Sequence, residues 1–446
     1  MRKTFIILAI TAILLTSCGL QNGIENTEQT IITSDITGDT NTELSENETP
    51  STPKTNKELY SFLLEAWKND RISDCYKHVS AELGSLVDKT AFSRIFSEMT
   101  DSFGKISNFS GESQTVDSGY DVFRCKVTLD HAEVELSISV KDMQIAGITQ
   151  DTRFTSPFEK ELGDGITERY FLLESGRYTL NAVYTFCDES SSSAVLFIPG
   201  SGPSDYNETI GLLTPFKDIA LGLAMNGVNS LRFEKRTNRY PDSFTVKSGL
   251  DEEYFEDCKA AAAWLEKQER TNGVYLLGHS LGGQIAAALA KNVGAKGIIL
   301  FNCSARHLAD IARDQYSVLD PSNKTAYEQY AQAAKASTAD NAKGLYYYSV
   351  TDYYWASYNK INVIESLKNA GVPVLIINSL ADNQSFPGDL ELWEKELSDA
   401  EQFTVKVYDD ISHYGYKIDT NNTASLYKPA EFPTELIEDY ISIIKQ

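Results

Sequence analysis

The stretch VYLLGHSLGGQIAAALA, Val274 to Ala290, decides how the chain is read. It opens on an apolar run of the kind found in buried strands and closes on an alanine-rich helix former. Between them stands Gly278-His279-Ser280-Leu281-Gly282. A strand, a sharp turn and a helix form the setting in which a serine between glycines becomes an exposed nucleophile. The turn leaves no room for Cβ atoms beside the serine, and the helix must pack close to the strand. Five such residues in another setting would be an ordinary turn. The rest of the chain therefore has to supply an acid, a histidine and two N–H donors.

Outward from this stretch, from about residue 165 to 446, strand and helix signals alternate. RYFLLESGRYTLNAVYTF reads as two strands around Glu174-Ser175-Gly176-Arg177, AVLFIP as a strand buried on both faces, and PFKDIALGLAMNG as an amphipathic helix closed by Gly227. VNSLRF, GIILFN, VPVLIIN and FTVKVY supply further strands, DEEYFEDCKAAAAWLEKQ a helix, and TELIEDYISIIKQ a closing helix. This is an α/β pattern with a mostly parallel sheet and helices on both faces. Residues 304 to 366 interrupt the alternation and read as an inserted lid rich in aromatics: Tyr346, Tyr347, Tyr348, Tyr353, Tyr354, Trp355 and Tyr358. These rings either line a substrate pocket or pack the lid onto the body.

Upstream lies a smaller region, 56 to 150. Leu59, Phe62, Leu63 and Trp67 recur at helical spacing, as do Phe92, Ile95, Phe96, Met99 and Phe103. Phe123 to Leu129 and Val134 to Val140 alternate as strands do. The pattern predicts a small α+β domain. Residues 19 to 55, including TNTELSENETPSTPKTN, have little to bury and read as a disordered spacer.

Residues 1 to 18, MRKTFIILAITAILLTSC, carry Arg2 and Lys3 before an apolar run, the make-up of an export signal. The ending Leu15-Thr16-Ser17-Cys18 resembles the lipobox of bacterial lipoproteins, which implies lipidation at Cys18, removal of the leader and attachment to the cell membrane on its extracytoplasmic side. The formal charge of the whole chain is −23. Such an acidic protein has no electrostatic case for nucleic acid, and anionic lipid would repel it unless it were tethered. Cys75, Cys125, Cys187, Cys258 and Cys303 are odd in number and lack metal-ligand spacing, so they read as small buried hydrophobes, although Cys75 and Cys125 are candidates for pairing. No dinucleotide, P-loop or metal-ligand motif is present, so no cofactor and no metal are implied.

Five separated motifs, IPGSGPSDYNETIG (198–211), PFKDIALGLAMNGVNSLRFEKRTNRY (215–240), GHSLGG (278–283), LADNQ (380–384) and SHYG (412–415), resemble the α/β-hydrolase superfamily, in its bacterial esterase and serine aminopeptidase-like branch. The small upstream region loosely resembles the α+β domains, similar to the nuclear transport factor fold, that precede exported hydrolases. The resemblance implies an α/β-hydrolase domain over 165 to 446 with a lid at about 304 to 366. It further implies a Ser280 nucleophile and an acid after a late strand, where Asp382 fits and Asp389 competes. His413 follows by elimination. His307 precedes Asp382 and breaks the Ser, Asp, His order, and His279 lies inside the turn. Oxyanion donors would be the amide of Leu281 and one from Gly200-Ser201-Gly202, with Ser201 favoured. Glu234, Lys235 and Arg236 of FEKRTNR read as ion-pair residues. His78 and His131 have no partner pattern. The expected activity is cleavage of a small-molecule carboxylic ester through an acyl-enzyme. A peptidase or aminoacyl amidase of the same fold is the first alternative, and a surface lipoprotein that only binds is the second.

Overall fold

The computed structural model describes residues 52–187, 193–268, 271–384, 387–397, 401–417, 428 and 430–445. The expected export signal, the expected lipidation site Cys18 and nearly all of the expected spacer lie outside the described residues. In the upstream region, strands β1 (Ile106–Asp117), β2 (Tyr120–Leu129), β3 (Ala132–Lys141) and β4 (Gln144–Phe154) form an antiparallel sheet in chain order. Alternate residues of β2 and β3 are buried. Helices α1 (Asn56–Lys68) and α2 (Lys89–Phe103) cover that face, so Leu59, Leu63, Phe92 and Phe96 share one core with Val127, Val134 and Leu136. Thr55 and Asp88 start the two helices by accepting the amides of Glu58 and Ala91. The polar strand β1 escapes the sequence pattern because seven of its last eight residues are exposed and none is buried.

The large sheet begins earlier than residue 165. Strand β5 (Phe158–Gly163) pairs antiparallel with β6 (Ile166–Ser175) at the sheet edge. Its sequence, FEKELG, is too short and too charged to announce itself. Tyr170 and Val183 of the large sheet also sit in the upstream core, so the two regions share a packed boundary.

Nine strands follow the order β15-β14-β11-β10-β8-β9-β7-β6-β5, where β7 is Tyr178–Cys187, β8 Ser193–Ile198, β9 Asn229–Phe233, β10 Gly273–His279, β11 Gly297–Phe301, β14 Val374–Ser379 and β15 Phe403–Tyr408. Strands β9 through β15 in that order run parallel, and β7, β6 and β5 are antiparallel. The continuous apolar strands are buried on both faces, as their sequences require. Their side chains divide with period two. Leu196, Ile198, Leu276 and Leu300 meet α4 (Glu256–Leu265) and α5 (Leu281–Leu289), while Val195, Phe197, Leu277 and Ile299 meet α3 (Pro215–Met225) and α11 (Thr434–Ile444).

Between β11 and β14 the chain forms a cap. It consists of α6 (Leu308–Leu319), α7 (Lys324–Lys335), a hairpin of β12 (Tyr346–Tyr347) and β13 (Val350–Thr351), α8 (Asp352–Tyr358) and α9 (Val363–Ala370). Helix α10 (Pro387–Leu397) then joins β14 to β15. Among the described residues no helix is long and apolar enough to cross a membrane. The chain segments that carry the predicted site all leave the C-terminal ends of β8, β10, β14 and β15, the edge at which open α/β sheets gather their functional loops.

Candidate active site

Ser280 occupies the single residue between β10 and α5, with φ 54° and ψ −124°. A non-glycine residue in this region carries strain on the order of 1–3 kcal/mol and persists only where its surroundings over-determine it. Here they do. The Ser280 amide donates to the Phe301 carbonyl at 2.9 Å and its carbonyl accepts from Gly283 at 3.0 Å. A Cβ on Gly278 would come within 2.2 Å of the Gly282 carbonyl oxygen, and one on Gly282 within 2.1 Å of the Ile198 carbonyl oxygen. The glycines therefore let helix and strand approach, as the motif demands, and the serine is thrust out at the end of the strand, half-buried at the floor of a cavity.

His413 and Asp382 arrive from the loops after β15 and β14. The His413 Nδ1 lies 2.7 Å from Asp382 Oδ2, and both residues are buried. The other Asp382 oxygen accepts the Gln384 amide at 2.7 Å. The His413 carbonyl accepts from Asn302 Nδ2 and faces His279 Nε2, each at 2.9 Å, so the backbone carrying the ring is held at two points. Asp409 and Asp410 are exposed and solvated. Asp389, the competing acid, is committed elsewhere: it accepts from Ser304 Oγ at 2.6 Å and pairs with Arg306. His307 caps α6 through Nδ1 and meets Asn359 through Nε2. His131 stacks on Phe158 and His78 packs edge-on to Phe62 in the upstream region. Cys75, Cys125, Cys187, Cys258 and Cys303 are buried and form no disulfide, so Cys75 and Cys125 do not pair.

The glycine loop after β8 is fixed from three directions. Its Gly200 amide donates to Glu208 Oε1 at 2.6 Å. Its Gly200 carbonyl accepts from Lys235 Nζ at 3.1 Å and from the Tyr254 hydroxyl at 2.5 Å. The peptide is trans. A trans peptide points its N–H opposite to its C=O, so the Ser201 amide faces away from the Lys235–Tyr254 pair. Gly200, Ser201, Ser280, Leu281 and His413 line one cavity. The Leu281 amide is among the first four of α5, which a helix leaves without an internal acceptor. Lys235 does make an ion pair, with Glu253 at 2.6 Å, but the same ammonium also holds the glycine loop. Glu234 pairs with Arg239, and Arg236 with Glu256 and Asp257.

The cavity has a volume of about 430 Å³. The cap supplies Ile311, Tyr316, Tyr348 and Trp355 to one side, and Gln284, Gln315 and Gln384 supply amides. The lid aromatics thus divide between the two roles open to them. Tyr348 and Trp355 line the cavity, whereas Tyr358 ties lid to body by donating to Gln284 Oε1 at 2.7 Å. Among the described lining residues there is no Lys, Arg or Asp, and the single carboxylate is Glu208.

The strand order, the serine on the turn after β10, and the aspartate and histidine on the loops after β14 and β15 match the α/β-hydrolase fold. No family model matches the chain. Among curated proteins the chain is similar to Esterase EstD of Thermotoga maritima, at 26% identity over 349 residues, covering 76% of this chain and 82% of that protein. Solved structures that resemble it include Est1E from Butyrivibrio proteoclasticus, at 15% identity and a TM-score of 0.42 over 62% of this chain and 99% of that one. A dienelactone hydrolase from Anabaena variabilis is similar at 12% identity and a TM-score of 0.38, over 63% of this chain and 99% of that one.

Proposed function

We propose that the protein hydrolyses neutral carboxylic esters through a Ser280 acyl-enzyme, with His413 as general base and then acid, and Asp382 holding the imidazole. The observation that carries this reading is the Asp382–His413 bond facing a cavity that also exposes the strained Ser280. The chemistry follows from the residues. His413 takes the Ser280 proton as the hydroxyl attacks the ester carbonyl. The amides of Ser201 and Leu281 stabilise the oxyanion, and the imidazolium returns its proton to the departing alcohol. Water then repeats the sequence on the acyl-enzyme. The similarity to an esterase favours ester over amide substrates. The test is labelling of Ser280 by a fluorophosphonate, followed by turnover of p-nitrophenyl esters against aminoacyl amides. Labelling with ester turnover supports the reading, and faster amide turnover would move it to the peptidase alternative. A protein that neither labels nor turns over either class would be the binding lipoprotein instead.

The lining predicts the charge of the substrate. An anionic group carried into this cavity would lose hydration without meeting a Lys or Arg among the described lining residues. A p-nitrophenyl ester with a free carboxylate on its acyl chain should show kcat/KM lower than its uncharged analogue of equal length by about tenfold or more. Equal rates would refute the inference from the lining.

We infer further, from the lipobox-like Leu15-Thr16-Ser17-Cys18, that the enzyme sits on the extracytoplasmic face of the cell membrane, tethered by diacylglycerated Cys18 through the polar spacer. Two or more acyl chains give a stable anchor, where one is marginal. Cys18→Ala should shift the protein from the membrane fraction to soluble or unprocessed forms. A processed mutant that stays in the membrane fraction would remove the anchor.

A further inference from the structure

We propose that Glu208 and His279 form a buried carboxylate–imidazolium pair that positions the glycine loop and the His413 loop on either side of Ser280. This rests on the catalytic reading of Ser280 and His413 above. His279 is 2% exposed and ends strand β10. Its Nε2 lies 2.9 Å from the His413 carbonyl. A carbonyl only accepts, so Nε2 carries a proton. Its Nδ1 lies 2.9 Å from Glu208 Oε2. At that ion-pair distance the carboxylate favours a proton on Nδ1, and a ring protonated on both nitrogens is an imidazolium. The titratable groups facing it are Glu208 from the loop after β8, His413 and Tyr414 from the loop after β15, with ring centroids 4.6 and 5.7 Å away, and Asp382 beyond. Burial opposes the charge, but Glu208 and the His413 carbonyl more than offset it and raise the pKa above the ordinary imidazole value.

The loop that delivers Glu208 is built for the task. Glu208 itself sits at φ 53°, a left-handed conformation that a non-glycine residue adopts at a cost. Asp205 holds the turn by accepting the amides of Asn207 and Thr209 and the Thr209 hydroxyl. Arg232, buried in β9, donates its Nε to Asn207 Oδ1 at 2.9 Å. The carboxylate so placed accepts the Gly200 amide on Oε1 and stands at ion-pair distance from His279 through Oε2. With Lys235 and Tyr254 on the Gly200 carbonyl, the peptides on both sides of Gly200 are fixed, and the Ser201 amide with them. On the far side, His279 and Asn302 fix the His413 backbone. One continuous chain, from Gly200 through Glu208 and His279 to His413, thus ties the oxyanion donor to the base. Glu208 and His279 are positioning residues that act through others.

The experiment uses the full chain. With five histidines in the sequence, selective ¹⁵N labelling resolves each ring. At pH 8 the wild-type spectrum should show one ring with both nitrogens protonated. Glu208→Gln should convert it to a neutral ring protonated at Nε2 alone, because the amide NH₂ can donate to Nδ1 while its oxygen keeps the Gly200 amide. Glu208→Ala should lower kcat about 10²-fold with KM within about threefold, and Glu208→Gln should recover to within about tenfold of wild type. A wild-type His279 ring with only one protonated nitrogen overturns the charged pair, and it does so without any variant having to fold. Unchanged kcat in a folded Glu208→Ala protein overturns the positioning role. Failure of the catalytic reading looks different: the wild-type protein would then resist fluorophosphonate at Ser280 whatever the His279 spectrum shows.

Discussion

Ser280→Ala should abolish fluorophosphonate labelling and cut ester turnover on the order of 10⁴-fold or more. A serine hydroxyl is a weak nucleophile until a base takes its proton, and the turn after β10 presents this hydroxyl to the cavity that His413 lines. Removing one oxygen should leave the fold intact. The turn is held by the Ser280 amide to Phe301 and by the Ser280 carbonyl to Gly283, both backbone bonds, and by the close approach of Gly278 and Gly282. Far-UV circular dichroism and thermal unfolding should therefore match wild type. His413→Ala should lose about as much, and the double variant little more than either single one, because nucleophile and base act as a unit. Losses that multiply in the double variant would show two independent contributions and contradict the shared proton transfer. Retained turnover in Ser280→Ala would remove the hydrolase mechanism altogether.

The turn around Ser280 is legible in sequence because its cause is local. Strand, glycines and helix lie within one stretch, and each constrains the next by sterics alone. Asp382 and His413 are legible by order along the chain, since each follows an apolar run long enough to read as a strand. Their meeting at 2.7 Å depends on the sheet order, which places β14 beside β15 and β11. The Glu208–His279 pair is not legible. Its carboxylate sits in a polar loop, GSGPSDYNETIG, whose Asp and Glu look alike until the fold shows one capping a turn and the other turned inward. Nothing near His279 announces that its ring reaches the carbonyl of a residue 134 positions later. Lys235 shows the same limit: an ion pair was readable from FEKRTNR, but a second duty on the Gly200 carbonyl requires β8 and β9 to be neighbours. The lid aromatics were ambiguous for a related reason. A helix such as α8 places Tyr354, Trp355 and Tyr358 on buried faces, yet only the cap's seating on the body decides which ring meets a cavity and which meets a glutamine.

Asp382→Asn should lower kcat by about 10³- to 10⁴-fold with little change in KM, through the tautomer of His413 rather than through its position. The two oxygens of Asp382 have different duties. One accepts the Gln384 amide at 2.7 Å, and the other faces His413 Nδ1 at 2.7 Å. A carboxylate can only accept from that ring, so Nδ1 carries the proton and Nε2 is left as the base. An asparagine must keep its oxygen toward the Gln384 amide, because an NH₂ there would set two donors against each other. Its NH₂ then points at His413 and donates to Nδ1, which forces the proton onto Nε2. The ring occupies the same place with the wrong nitrogen protonated, and it can no longer take the serine proton. The charge that would stabilise the imidazolium is lost as well. ¹⁵N spectra should show His413 protonated at Nδ1 in the wild type and at Nε2 in the variant, while thermal unfolding stays close to wild type because the hydrogen bonds are replaced one for one. Near-wild-type turnover in Asp382→Asn, with the Nε2 tautomer seen in its spectrum, would mean that His413 is not the base.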